Sequence, residues 1–219
     1  MTAAPDMIEE VVLVGGREIV LERPRDSETL LDADAFGADE RLPYWADLWP
    51  SGVALAAAVV GRSLRGRRVL ELGCGLGLAA ICAALAHGKV TASDWFAPAT
   101  EIAGANARRN GVEVDTVVCS WQQPEVLLAA APWDLVLAAD VLYERRNVPL
   151  LLDLLPRLVG ERGEIWLADP GRAFADEFFA QACARGWRTA AISRSASPRA
   201  TVHLLRPGAA AVPASRQGI

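Results

Sequence analysis

The sequence predicts an α/β fold built on a doubly wound sheet of seven strands, mostly parallel with an antiparallel edge strand and helices on both faces. Three observations predict it. Val69–Leu72 and Leu135–Ala139 are nearly unbroken apolar runs, as in strands covered on both sides. From Arg67 onward, strand-like and helix-like patterns alternate. The first of these strands runs straight into Gly73-Cys74-Gly75-Leu76-Gly77, and a helical pattern from Leu78 to Ala86 follows at once. Glycines at such a junction let the backbone pass close to a ligand, and the helix start leaves N–H groups free.

Taken in chain order, Ile8 to Val14 and Arg17 to Glu22 are apolar-rich segments joined by Gly15-Gly16, the signal of a hairpin. Residues 24 to 42, rich in Asp and Glu, read as a connecting loop. A helix is expected to start at Ser51 or Gly52 and run to about Val60, with Ser51 as its N-cap after Pro50. Strands are expected near 68–72, 89–93, 113–118, 133–139, 163–168, 187–193 and 201–206, and helices near 77–87, 98–110, 124–130, 146–158 and 173–185. Gly111 and Gly186 stand just past two of these helices, where C-terminal caps belong. A short polar stretch containing Pro198 joins the last two strands, which should pair antiparallel at one edge. The organisation is an N-terminal hairpin and linker over 1–42, a Rossmann-like domain over 43–206, and a tail over 207–219 whose Ala, Pro and Gly content predicts disorder.

At 219 residues and 52% hydrophobic, the chain is long enough for one domain with a full core. A net charge of −5, without a basic stripe, argues against a dedicated nucleic-acid binder. Clean apolar runs such as Val53 to Val60 are far short of a membrane span, and the first residues lack the regions of a signal peptide. Cys74, Cys82, Cys119 and Cys183 form no C-x-x-C pair, and only His87 and His203 stand by to help them. They read as reduced, mostly buried thiols of a cytoplasmic protein, with no metal site.

The glycine turn carries the chemistry. A dinucleotide fingerprint, Gly-x-Gly-x-x-Gly, admits a pyrophosphate. Here the spacing is Gly73-x-Gly75-x-Gly77, and Glu71 stands two residues ahead of it. A carboxylate at that strand end repels a phosphate and suits a cation. S-Adenosylmethionine has a sulfonium, an ammonium and no phosphate. Glu71 would serve the ammonium, and Asp94, closing the next apolar run, would accept from both ribose hydroxyls.

In such a sheet the carboxyl ends of the parallel strands share one rim, where ligands bind. The later strands deliver Ser120-Trp121, Asp140-Val141-Leu142-Tyr143 and Asp169-Pro170-Gly171-Arg172 to it. Asp140 emerges from an apolar strand, and an alternative role for it is the cap of the following helix. The chain has seven Trp against two Tyr and five Phe. Trp133, Trp166 and Trp187 fall within strands and read as core, whereas Trp95 and Trp121 fall at rim positions suited to flanking an adenine. Trp45 and Trp49 lie in Leu42-Pro43-Tyr44-Trp45-Ala46-Asp47-Leu48-Trp49-Pro50-Ser51-Gly52, a segment able to fold over a cofactor or to clasp the first helix.

Together these residues resemble the seven-β-strand methyltransferases, and Asp140-Val141-Leu142-Tyr143 matches in full the Asp-x-x-Tyr motif of their protein lysine methyltransferase branch. Within that branch, residues 43–52, the glycine turn and Ala168-Asp169-Pro170-Gly171-Arg172 are most similar to the lysine methyltransferases of the electron transfer flavoprotein β-subunit. The likeness covers roughly residues 40 to 206. It departs at Ser120, where many relatives carry an acid.

The resemblance implies S-adenosylmethionine as cofactor and a protein with an exposed lysine as partner, electron transfer flavoprotein β-subunit being the candidate. It implies Asp140 and Tyr143 as catalytic residues. The glycines Gly73, Gly75 and Gly77, with Glu71, Asp94 and Ala139, are the expected cofactor residues on the strand ends. Trp49, Trp95, Ser120 and Trp121 complete that set, and Trp45, Asp169 and Arg172 are expected on the substrate side. A small-molecule N-methyltransferase, an NAD-dependent oxidoreductase and a non-catalytic cofactor-binding module remain open as alternatives. The pattern Asn/Asp-Pro-Pro-Tyr/Phe, which marks amino-directed base methyltransferases, does not follow strand four.

Overall fold

Gly15 and Gly16 both take positive φ, 57° and 82°, which a two-residue reversal between antiparallel strands needs. In the computed structural model, which describes residues 6–27, 44–196 and 199–208, they join β1 (Met7–Val14) to β2 (Arg17–Pro24). Most of the expected linker and tail lies outside the described residues. Pro24 and Pro207, assigned to them from sequence, close strands instead.

After a single 3-10 turn at Tyr44–Ala46, the chain forms α1 (Pro50–Val60), β3 (Arg68–Leu72), α2 (Leu78–Leu85), β4 (Lys89–Asp94), α3 (Ala97–Arg109) and β5 (Asp115–Val118). It continues with α4 (Glu125–Ala129), β6 (Trp133–Ala139), α5 (Asn147–Leu158), β7 (Val159–Asp169), α6 (Ala175–Ala184), β8 (Trp187–Ala196) and β9 (Arg199–Pro207). The sheet order is β5-β4-β3-β6-β7-β9-β8. Chain direction is common to β3 through β7, while β9 pairs antiparallel with both β7 and β8. The last two strands thus form the expected antiparallel pair at one end of the sheet, with β9 inside and β8 on the margin.

The central strands explain the two layers. Side chains alternate across a strand, so Val69, Leu135 and Leu137 pack with α1, α2 and α3 in one core. Leu70, Leu72, Val136 and Ala138 pack with α4, α5 and α6 in the other. Trp133, Trp166 and Trp187 are each 5% exposed, as core residues should be. Gly111 and Gly186, at φ 70° and 87°, take the left-handed conformation that ends α3 and α6.

The N-cap assignment of Ser51 is corrected. Trp49 occupies the cap position and Pro50 begins α1, because a missing N–H costs nothing in a first helical turn. Ser51 lies inside that turn, fully buried, and its hydroxyl has no hydrogen-bond partner.

The hairpin is joined to the helical layer by two amides, Asn106 within α3 and Asn110 at its C-cap. Asn106 accepts from Glu22 N–H at 2.8 Å and donates to Glu22 O and Leu76 O, both at 3.1 Å. Asn110 accepts from Val20 N–H at 2.9 Å and donates to Val20 O at 2.7 Å. Each amide imitates a neighbouring strand, so the hairpin's inward residues Ile19 and Leu21 become fully buried. Asn106→Ala leaves buried backbone groups unpaired. It should lower stability to urea by about 1–3 kcal/mol and speed hydrogen exchange at the Glu22 amide, and unchanged exchange there would contradict this docking.

Candidate active site

Backbone bonds beyond the strand ends hold the rim loops in register. Cys74 N–H donates to Ser93 O at 3.0 Å, Cys119 N–H to Asp94 O at 2.7 Å, and Asp140 N–H to Ala168 O at 2.9 Å. The glycine turn between β3 and α2 has Gly73, Gly75 and Gly77 at φ 65°, 48° and 81°, a region that side chains make costly. It is also crowded. A Cβ on Gly75 would stand 3.0 Å from Trp45 O, and one on Gly77 would stand 2.9 Å from Ala103 Cβ. Above Gly73, Trp121 and Val141 form the walls, each 3.6 Å from where a Cβ would be.

Two acids brace this turn. Asp94 accepts from Gly75 N–H through Oδ2 and from Phe96 N–H through Oδ1, both at 3.1 Å. Burial lifts its carboxyl above the usual range, against the pull of those N–H groups. Glu71 accepts from Ala80 N–H at 2.8 Å, in the first turn of α2. Burial, countered by that bond and reinforced by the charge of Asp94, raises Glu71 to about 8. Sequence offered Glu71 only as a ligand group. The structure adds that it satisfies one of the orphan donors of α2.

The second half of the site gathers around Asp140. This residue takes φ 57°, an uncommon conformation outside glycine that favours short polar side chains. Its Oδ1 accepts from Arg172 Nε at 2.7 Å, while its Oδ2 is buried without a partner. The cap alternative is excluded, since α5 begins only at Asn147. Asp169 is arranged similarly: Oδ1 accepts from Gly171 and Arg172 N–H at 2.7 Å each, and Oδ2 is buried and unpaired. Burial raises the Asp169 carboxyl, with the charge of Asp140 adding a smaller push.

Aromatic rings close this group. The Arg172 guanidinium lies 5.6 Å from the Trp49 ring, and the Trp49 indole N–H donates to Tyr44 O at 2.7 Å. Tyr44 meets Trp49 and Tyr143 edge-on, with centroids 5.8 and 6.0 Å away. Tyr143 is 40% exposed, and burial of the remainder pushes its hydroxyl above the ordinary range, so it stays protonated at neutral pH. The aromatic segment therefore spans both halves, with Trp45 on the glycine turn and Tyr44 and Trp49 beside Asp140.

The remaining expected residues lie further out. Trp95 is exposed and meets Phe96 at a tilt, with ring centroids 5.3 Å apart, and Phe96 also meets Trp45 at 5.7 Å. Ser120 is committed to its own turn, contacting the Gln122 side chain and accepting from Gln122 N–H. Ala139 is half-buried at the end of β6, next to Asp140. Sequence reasoning missed Asn147, which donates to Val141 O at 2.9 Å and so ties the start of α5 to the loop that carries Tyr143. An Asn opening a helix just after the Asp-x-x-Tyr run was the available signal.

Comparison with known proteins follows the same lines. A family model described as "Lysine methyltransferase" matches residues 44–185. The electron transfer flavoprotein beta subunit lysine methyltransferase of Xenopus laevis is 35% identical over 136 residues, which is 60% of this chain and 54% of that protein. EEF1A lysine methyltransferase 3 of Mus musculus is 35% identical over 64% of this chain and 62% of its own length. This chain thus spans little more than half the length of these curated relatives. The 16S rRNA N2 G1207 methyltransferase of T. thermophilus, solved with AdoMet and guanosine, shares the fold at TM-score 0.62 and 15% identity, over 92% of this chain and 50% of that one.

The Glu71 carboxyl has a pH signature. Its folded pKa is raised from 4.5 to about 8, so its contribution to stability is intact below pH 4.5 and is lost as pH rises through 8. Glu71→Gln keeps an acceptor for Ala80 N–H and removes the titration. The melting temperature of the wild type, relative to that of Glu71→Gln, should fall between pH 5 and pH 8. A constant difference would contradict the assignment.

Proposed function

The chain belongs to the lysine methyltransferase family, and on that premise we propose that it is an S-adenosylmethionine-dependent N-methyltransferase acting on lysine side chains of a protein. One observation carries the reading. The rim collects four carboxylates, Glu71, Asp94, Asp140 and Asp169, and two of them present buried oxygens with no donor. Such a set suits ammonium and hydroxyl donors and opposes a pyrophosphate, which disfavours the NAD alternative.

The residues present fit the cofactor. Asp94 keeps a second lone pair on each oxygen for ribose hydroxyls beside the Gly75 and Phe96 N–H groups it already binds. Trp121 and Trp95 offer faces for the adenine. Glu71, raised to about 8 by burial, is drawn toward its ionised form as the ammonium binds beside it and then balances that charge, and Trp49, Ser120 and Ala139 complete the wall. When bound, S-adenosylmethionine supplies an electrophilic methyl on a sulfonium, which becomes a neutral thioether as the methyl departs.

The chain must deliver a neutral amine in line with that methyl. With a free-lysine pKa of about 10.4, deprotonation at pH 7 costs roughly 4–5 kcal/mol. The apolar walls reduce that cost by disfavouring the ammonium. Asp140 Oδ2 accepts an N–H of the amine, and the Tyr143 hydroxyl, on a loop that Asn147 holds through Val141 O, aligns it. Positioning of this kind supplies much of the remaining acceleration.

The exposed faces of Tyr44 and Tyr143 leave the mouth open, which supports a protein-borne lysine over a small amine sealed in a closed pocket. Electron transfer flavoprotein β-subunit is the candidate acceptor, supported by the name of the Xenopus relative. Among the described residues no helix is long and apolar enough to cross a membrane. Four free cysteines suit a reducing compartment, and we place the enzyme in the cytoplasm.

Tritiated S-adenosylmethionine, supplied with purified electron transfer flavoprotein and separately with a cell extract, tests the reading. Label should enter protein as methyl-lysine; label confined to small solutes would overturn it. Asp140→Asn and Tyr143→Phe should lower transfer roughly 10- to 100-fold while S-adenosylhomocysteine affinity, measured by calorimetry, stays within several-fold. Full turnover by either variant removes that residue from the mechanism.

A further inference from the structure

Asp140 poses a problem that the proposed lysine methylation does not solve by itself. A carboxylate beside the substrate nitrogen stabilises ammonium, the form that cannot attack. The same carboxylate is already engaged on its other oxygen: Arg172 Nε donates to Oδ1 at 2.7 Å, leaving Oδ2 buried and unpaired. The backbone that carries the guanidinium is fixed by Asp169, whose Oδ1 accepts from the Gly171 and Arg172 N–H groups, and the Trp49 ring lies 5.6 Å from the guanidinium centre.

We propose that Arg172 is a positioning residue whose guanidinium, carried on the Asp169-bound turn and held between Asp140 and Trp49, offsets the charge of Asp140 so that the lysine is held at Oδ2 as the neutral amine. Rested on lysine as the acceptor, this deepens the reading above. The proton leaves the ammonium for solvent as the nitrogen seats, Asp140 accepts a remaining N–H, and the nitrogen lone pair stays available for the methyl. The other groups facing Asp140 leave this division of charge to Arg172. From β7, Asp169 adds a second negative charge. Tyr44, in the aromatic segment that straps the two halves of the site together, and Tyr143, on the loop of Asp140, present hydroxyls, Asp94 contributes a weaker field at Tyr143, and Glu144 and Arg146 pair with each other. Among the described residues no other cation is in contact with either side chain, so without Arg172 the amine would face two uncompensated carboxylates.

The test compares wild type, Arg172→Gln and Arg172→Lys. In methyl transfer to electron transfer flavoprotein β-subunit, the acidic limb of the pH–rate profile should move upward by about one to three pH units in Arg172→Gln. Transfer should therefore fall at least tenfold at pH 7 and recover toward pH 10. Arg172→Lys should restore part of the shift. A Gln variant with an unmoved limb, merely scaled down at every pH, would overturn the proposal. A second readout needs no protein acceptor. In the S-adenosylhomocysteine complex, n-butylamine, a lysine side-chain mimic, should bind Arg172→Gln at pH 7 roughly tenfold more tightly than wild type, because the uncompensated acids prefer its ammonium form. Equal or weaker binding by the variant, with S-adenosylhomocysteine affinity retained, would equally overturn it. If wild type methylates no protein, lysine methylation fails, while the butylamine titration still decides the role of Arg172.

Discussion

Three glycines held at positive φ allow four separate pieces of chain to meet at one turn. The strap sets the Trp45 carbonyl against Gly75, α3 sets Ala103 against Gly77, and Trp121 and Val141 stand over Gly73. From below, Glu71 and Asp94 bind the backbone of the turn and of the helix it opens. A side chain at such a φ costs about 1–2 kcal/mol before any collision is counted. At Gly77 the collision is with a backbone-bound methyl that has nowhere to go. The turn is therefore a packing constraint as well as a binding surface, and the same absence of side chains serves both.

Charge is the second organising quantity. Burying carboxylates is costly unless they are paired, and this rim buries four. Part of the cost is met internally. Backbone N–H groups serve Glu71, Asp94 and Asp169, and a guanidinium serves Asp140. What is left over, the unpaired oxygens of Asp140 and Asp169 and the raised carboxyl of Glu71, is an unmet demand for positive or donating groups. A sulfonium-bearing amino acid and a lysine side chain both answer that demand. The left-handed backbone at Asp140 belongs here too, since strain of that kind persists where the surrounding structure enforces it.

Local pattern made most of this legible. Hairpin, strands and helices follow from periodicity and glycine punctuation, with boundaries mostly within two residues of expectation; the largest departures are the long start of β7 and the extra length of β8. The rim residues follow from strand ends. Strand order was harder, because periodicity does not say which of two hairpin-linked strands lies inside. Composition did hold a clue: β9 carries Val202 and Leu205, both buried, whereas β8 carries Arg188, Thr189 and Ser193 beside Ala190 and Ala191. Ser51 misled because cap preference outranked Pro50, which itself opens the helix. The Arg172–Asp140 bond joins residues 32 apart in sequence, and no local signal encodes a contact that depends on two loops facing each other. Glu71 was read for its charge, yet its bond to α2 appears only once strand and helix are packed.

An acid-lined, phosphate-averse cradle is the premise beneath both the methyl transfer and the role of Arg172. Isothermal calorimetry of the purified protein with S-adenosylmethionine, S-adenosylhomocysteine and NAD examines it most directly. Saturable heat with the first two ligands and none with NAD is the predicted result. Tight NAD binding with no response to S-adenosylhomocysteine would contradict the account at its root.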